Sequence, residues 1–317
     1  MRTSTRPVKV AVVGVGSVGQ HHARIFATLP EAHLVAVVDR DQARARGVAS
    51  RHGALALTDH RDLAGDLEAV SVAVPTVSHA LVVRACLERG LSVLVEKPMA
   101  ATLAEAEEMV GAAARAGRLL LIGHTERFNP AVRAVGPRLK APRFVEAHRL
   151  ALYTARSTDV DVVLDLMIHD LDVVLSWVHS PVVAIDAVGV NALTDKIDIA
   201  NARIRFQNGC VANMTASRIS SEPVRKLRIF EADSYISLDY ARQAAVAYTV
   251  RRKEGRPPEI AREEVAVDPE EPLLVELRSF LRRVRGEDAP GVSAEEGLRA
   301  LCAAFQVLSQ IGPRPRA

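Results

Sequence analysis

"VKVAVVGVGSVGQHHARIF", residues 8–26, decides how the rest of the chain is read. It opens as a valine-rich strand. Three glycines follow, Gly14, Gly16 and Gly19, in the spacing G-x-G-x-x-G, and a helical pattern begins at once. Alone, three glycines in that spacing are a weak signal. A strand before them and a helix after them give each a task. Gly14 permits a tight turn, Gly16 lets backbone approach a pyrophosphate, and Gly19 lets helix and strand pack closely. Phosphates then meet free N–H groups at the helix start, with Ser17 and Val18 completing the loop. Asp39 ends the next strand, "HLVAVVD", twenty residues beyond Gly19. A carboxylate there accepts hydrogen bonds from a ribose diol and repels a 2′-phosphate. NAD is therefore the expected cofactor, and Arg40 alongside leaves NADP open. The alternative is chance placement of glycines; strand, helix and acid together argue against it.

Outward from this stretch, short apolar runs alternate with helical patterns: "EAVSVAVP" (68–75), "LSVLVEKP" (91–98) and "RLLLIGH" (118–124) read as strands, "ALALT" as a weaker one. Apolar runs of this kind suit strands covered on both faces, joined by right-handed β-α-β units. The fold class is α/β, with an N-terminal Rossmann doubly wound parallel sheet over 1–124. The pattern changes after Gly123. "FVEAHRLALYTA" alternates, one long helix is expected around 158–179, and five further segments resemble successive antiparallel strands. "NG" at 208–209 marks a hairpin, and "RRKEGRPPEIAREE" a loop or exposed edge. Two helices close the chain, the last with a capping box from Ser293 to Glu296. Residues 125–317 are thus an α+β domain with a mostly antiparallel sheet, whose last helix could return to the first domain.

Composition bounds the function. The chain has 317 residues, 49% of them apolar, and a net charge of +3 with both signs interspersed. That balance is too mild and mixed for a nucleic-acid binder. Every long apolar run is broken by charge, so no membrane span is expected, and the N-terminus shows no signal peptide. Cys86, Cys210 and Cys302 lie far apart without a C-x-x-C pair. They suit reduced thiols in the cytoplasm better than disulfides or a zinc site.

"LVEKPMA" (94–100) sets Glu96, Lys97 and Pro98 at the end of a strand. Ligands of doubly wound sheets sit outside the carboxyl ends of the strands. Lys97 is therefore either a surface lysine or a group that hydrogen-bonds a substrate hydroxyl and polarises the resulting carbonyl. Together, "GVGSVGQHHARI", "VAVPTVSHA" and "VEKPMA" resemble the Gfo/Idh/MocA oxidoreductase family, over nearly the whole chain. The resemblance implies a Rossmann domain, a C-terminal domain with an open sheet, and hydride transfer between NAD(P) and sugars or inositols. It places the family's lysine at Lys97 beside Glu96, its phosphate loop at Gly14, Gly16 and Gly19, and Pro75, Thr76 and His79 near the nicotinamide. It also implies a homodimer or homotetramer through the sheet faces.

"STDVDVVLDLMIHDLDVVLSWV", read as a helix, lines up Asp161, Asp165, His169, Asp172 and Ser176 on one stripe. The stripe is a solvent face or a working one. Asp165 and His169, four apart, allow a carboxylate to orient an imidazole. One helix offers too few ligands for a metal, and none is expected. The family carries an Asp-x-x-x-His pair here, which implies His169 as general base, Asp165 as its orienter and Lys97 on the oxyanion, meeting at one alcohol. Many members have a glycine-rich stretch just before the pair; "DVVLDLM" replaces it and argues against a simple inositol or glucose. "GHTERFNPAV" (123–132) offers Arg127 and Asn129 for anion and hydroxyl recognition, or a purely structural Glu126–Arg127 pair. "ERFNPAV" with "DLMIHDLD" resembles the branch acting on nucleotide-linked N-acetyl sugars, above all the 3-hydroxyl of UDP-N-acetylglucosamine, whose keto product is transaminated for lipid A or surface glycans. Arg149, Arg156 and Arg218 could meet its diphosphate, or be solvated surface. A non-catalytic NAD-binding sensor is the contrasting reading.

Overall fold

The computed structural model describes residues 6–154, 160–252 and 257–312. They divide into two compact units. One joins Met1–Thr125 with Glu271–Leu298, the other Glu126–Glu270 with Arg299–Ala317.

In the first unit six strands, β1 (Val8–Val13), β2 (Ala32–Val38), β3 (Leu55–Leu57), β4 (Ala69–Val72), β5 (Ser92–Glu96) and β6 (Leu120–Gly123), pair in the order β3-β2-β1-β4-β5-β6. Every pairing is parallel. Helices α1 (Gly19–Thr28), α2 (Gln42–His52), α3 (His79–Glu88) and α4 (Leu103–Ala116) make the crossovers. Strand order reverses between β1 and β4, the switch point at which such sheets bind ligands. β1 and β4 are almost wholly buried, which is why their sequences carry nearly continuous apolar runs. α4 starts with a capping box of Thr102 and Glu105 and stops at Gly117 in the left-handed conformation.

The chain returns to this unit through α7 (Pro272–Val284) and the start of α8 (Ala294–Ile311), an earlier return than by the last helix alone. Leu277, Phe280 and Leu281 are fully buried in one core cluster with Val10, Val12, Ile25 and Phe26. Each such side chain contributes about 1.5–3 kcal/mol by leaving water. Ser293 and Glu296 form the expected capping box: each backbone N–H donates to the other's side chain.

The second unit carries an eight-stranded sheet. Its strands are β7 (Phe144–Leu150), β8 (Val182–Val190), β9 (Ile199–Phe206), β10 (Val211–Ser217), β11 (Val224–Phe230), β12 (Ser234–Asp239), β13 (Ala244–Arg251) and β14 (Glu259–Val265). The order is β14-β13-β12-β11-β7-β10-β9-β8. The sheet is mostly antiparallel, as expected, and β7 makes its one parallel pairing among the described strands. It lies mid-sheet, antiparallel to β11 but parallel to β10. Asn208 and Gly209 form the β9–β10 turn, Gly209 with φ +86°. α5 (Pro130–Val135) and α6 (Ile168–Val178) belong to this unit. The single helix expected near 158–179 is instead a π-helical turn, Val163–Met167, running into α6. Its first residues, 158 and 159, lie outside the described residues. Among the described residues no helix is long and apolar enough to cross a membrane.

Candidate active site

The glycine loop is dictated by lack of room. Gly14 has φ +86°, and a Cβ there would lie 2.6 Å from the Ala73 carbonyl oxygen. A Cβ on Gly19 would lie 1.8 Å from the Gly14 oxygen. A Cβ on Gly16 meets nothing within 4 Å, so this position is open. It faces a groove of about 660 Å³ lined also by Val15, Ser17, Gln20, Arg44 and Arg51. α1 starts here with no side-chain cap at Val18 and no acid in its first turn, leaving N–H groups and dipole to an anion. This cradle fits a dinucleotide pyrophosphate.

Asp39 closes the cofactor side. Its carboxylate accepts the N–H of Val15 at 3.1 Å and of Asp41 at 2.9 Å, and Arg44 reaches both oxygens at 3.2 and 3.3 Å. Arg44 thus offsets part of the charge expected to repel a 2′-phosphate. Arg40, the sequence candidate, is exposed and outside the groove lining; Arg44 and Arg51 are the guanidinium groups in it. Their signal was positional, one face of the helix after Asp39.

Lys97 follows the last residue of β5 and is half-buried, with a cis Lys97–Pro98 peptide. Glu96 turns inward. Its Oε1 lies 3.1 Å from His22 Nε2, and its Oε2 accepts the Lys97 N–H at 3.2 Å. Burial alone would push the Glu96 carboxyl up. The hydrogen bond from His22 and the charge of Lys97 outweigh it and hold the group below its ordinary value. Both oxygens are engaged within the protein, so Glu96 supports the corner. His79 lies against the same corner. It is 1% exposed, with Nδ1 3.0 Å from the Pro98 oxygen and Nε2 2.9 Å from the Val74 oxygen. Its ring ties the β4 loop to the corner, and burial pushes its pKa down. Pro75 is exposed and Thr76 half-buried at the start of a short 3-10 turn.

In the second unit Asp165 sits in the π turn and His169 is the second residue of α6; both are half-buried. The π turn lies across the stripe, between Asp161 and His169. Asp161 accepts the Ile197 N–H at 2.9 Å, while the Val162 N–H donates to the Ile197 oxygen. Asp172 is 3% exposed, with Arg127 Nε 3.9 Å away. These positions are not a solvent face.

Several substrate candidates prove structural. Asn129 is buried: its amide donates to Glu126 and to the Tyr240 oxygen, and its Oδ1 caps α5 by accepting the Ala131 N–H. Glu126 pairs with Arg149 at 2.9 Å. Arg149, 4% exposed, makes a bidentate pair with Asp170, two bonds of 2.9 Å, and lies 4.9 Å from the Tyr240 ring centroid. It is neither a diphosphate contact nor solvated surface. Arg218 is also buried and donates to the Val160 oxygen. Arg156 lies outside the described residues. Among the described residues no three His, Cys, Asp or Glu side chains cluster as a metal ion needs.

Sequence comparison agrees with this architecture. Residues 8–124 match the oxidoreductase family with NAD-binding Rossmann fold, and residues 138–233 match the Gfo/Idh/MocA C-terminal domain. The UDP-N-acetylglucosamine 3-dehydrogenase of Acidithiobacillus ferrooxidans is 38% identical over 307 residues, 95% of this chain and 96% of that one. A solved structure of that enzyme superimposes with a TM-score of 0.90 at 35% identity, covering 96% of this chain and 98% of the other. An inositol 2-dehydrogenase of Rubrobacter xylanophilus is 35% identical over 60% of this chain and 58% of its own. The chain belongs to the Gfo/Idh/MocA oxidoreductase family. It is an NAD-dependent oxidoreductase acting on CH–OH groups.

Proposed function

We propose that this enzyme oxidises the 3-hydroxyl of a nucleotide-linked N-acetyl sugar, UDP-N-acetylglucosamine, to the ketone. The observation that carries the reading is 38% identity sustained over 95% of the chain to a dehydrogenase of that substrate. A myo-inositol 2-dehydrogenase matched over 93% of the chain is, in contrast, 25% identical. The keto sugar suits an aminotransferase, on a route to lipid A or another surface glycan. A cytoplasmic setting is supported by Cys86 and Cys210, buried thiols outside any disulfide.

NAD, when bound, supplies the hydride acceptor. Gly14, Gly16, Ser17 and Gly19 hold its pyrophosphate, and Asp39 its ribose. His169 takes the proton of the hydroxyl, with Asp165 orienting the imidazole. Lys97 donates a hydrogen bond to that oxygen as negative charge grows on it. Arg127 takes the anionic part of the substrate.

The test is NADH formation with UDP-N-acetylglucosamine and with myo-inositol, adding a partner aminotransferase where equilibrium opposes oxidation. Turnover of the inositol alone overturns the substrate. Turnover of neither, with NADH still bound, favours a sensor. Copies of the chain associate, in this reading, as a dimer or tetramer through the half-buried face of the second sheet. Supporting this is a ladder of Phe144, Phe230, Tyr235 and Tyr248 across four strands, centroids 5.6, 4.6 and 5.4 Å apart. Tyr235→Glu is expected to lower the sedimenting mass.

A further inference from the structure

We propose that His22 is a positioning residue for Lys97, acting through Glu96. The inference rests on the role given to Lys97 above and adds the device that holds it.

His22 lies on α1, three residues past Gly19, and is 0% exposed. Its ring bridges two strands. Nδ1 is 2.7 Å from Ser71 Oγ in β4, and Nε2 is 3.1 Å from Glu96 Oε1 at the end of β5. The other Glu96 oxygen receives the Lys97 N–H. Four groups therefore stand in line from the middle of the sheet to the backbone of the lysine.

Serine, histidine and glutamate in this order form a hydrolytic constellation elsewhere. Here Ser71 is 0% exposed in mid-strand, where no substrate reaches its hydroxyl. The chain of bonds is not a nucleophile. In either protonation state the Nε2 proton is donated to the carboxylate, an acceptor only; with a neutral ring Nδ1 then accepts the Ser71 hydroxyl. Each polar atom then has its match, as burial demands.

Apolar side chains would fill this space with no desolvation cost. What they could not do is fix a carboxylate at two points. Gly123 shows how closely Glu96 is seated: a Cβ there would lie 3.2 Å from its Cα, Cδ and Oε1. With one oxygen held by an imidazole inside the core, the other holds the Lys97 backbone at one height above the sheet. α1 also carries the phosphate loop, so one helix sets both the cofactor cradle and the lysine.

The experiment compares Lys97→Ala, His22→Leu, His22→Gln and Glu96→Ala in the full chain, using whichever of UDP-N-acetylglucosamine or myo-inositol the wild type oxidises. His22→Leu is expected to lower kcat about 10- to 100-fold, the scale of a small misplacement of a reacting group. KM and NADH affinity stay within about 3-fold, since contacts made equally in ground and transition states are untouched. His22→Gln, which keeps a donor toward Glu96, recovers most of kcat. Glu96→Ala, which removes the acceptor of the Lys97 N–H, behaves like His22→Leu and keeps the comparison open if the leucine variant does not fold. Unchanged kcat in both His22→Leu and Glu96→Ala overturns the inference, as does a loss in His22→Gln equal to that in His22→Leu. Retained turnover in Lys97→Ala instead sinks the role of Lys97 itself.

Discussion

The glycine loop of the first unit and the Arg149 cluster of the second hold charge in opposite ways. The loop removes side chains, so that backbone N–H groups and a helix end meet an anion from outside. The cluster supplies its own counter-charge, one guanidinium between Asp170 and Glu126, and excludes water. The first arrangement depends on shape and fails when an atom is added. The second depends on charge balance and fails when one member is taken away.

The largest effect is expected from that balance. Arg149→Met leaves two carboxylates buried without their cation and destabilises the protein by about 3–5 kcal/mol in urea denaturation. Arg149→Met combined with Asp170→Leu recovers part of it; full additivity of the two losses would break the comparison. Next comes shape. Gly19→Ala places a methyl group 1.8 Å from a carbonyl oxygen. The expected cost is about 1–3 kcal/mol, together with loss of NADH binding by fluorescence titration.

A smaller effect carries a pH signature. Asp198 is fully buried and accepts the N–H groups of Ala192, Leu193 and Thr194. Burial alone would raise its carboxyl, but these donors with the Thr194 hydroxyl hold it below its ordinary value of 3.8. A group depressed in the folded state stabilises above its unfolded value, and that contribution is lost as pH falls through the folded one. Asp198→Asn should therefore cost about 1–2 kcal/mol near neutrality and progressively less below pH 3.8, read by urea midpoints across pH. Smallest is Arg44→Ala. The Arg44–Asp39 pair is partly exposed, a setting worth about 0.2–1 kcal/mol. Its removal should lower use of NADP relative to NAD by about 1.4- to 5-fold.

The same contrast explains what could be read from the residues. Steric demands are local, so Gly14, Gly19, the Asn208–Gly209 turn and the Ser293–Glu296 box announce themselves within a few positions. Asn129 was read as a hydroxyl contact, although asparagine before proline is also a helix-start signal and it caps α5. Charge pairing is set by register between distant elements. Nothing near Arg149 distinguishes it from a surface arginine, because its partners lie 21 and 23 residues away. His22 was hidden inside an ordinary helical run, its role fixed by Ser71 and Glu96 on two other elements. The π turn escaped because apolar residues fill it as readily as they fill an α-helix.

The return of α7 to the first sheet also bears on how the molecule is made. The ribosome delivers Met1–Thr125 long before Phe280, so the groups that Phe280 will cover wait in water for some 155 residues. At translation rates of about 5–20 residues per second that wait is roughly 8–30 seconds. Throughout it the nascent chain presents a bare apolar surface, a natural landing place for a chaperone.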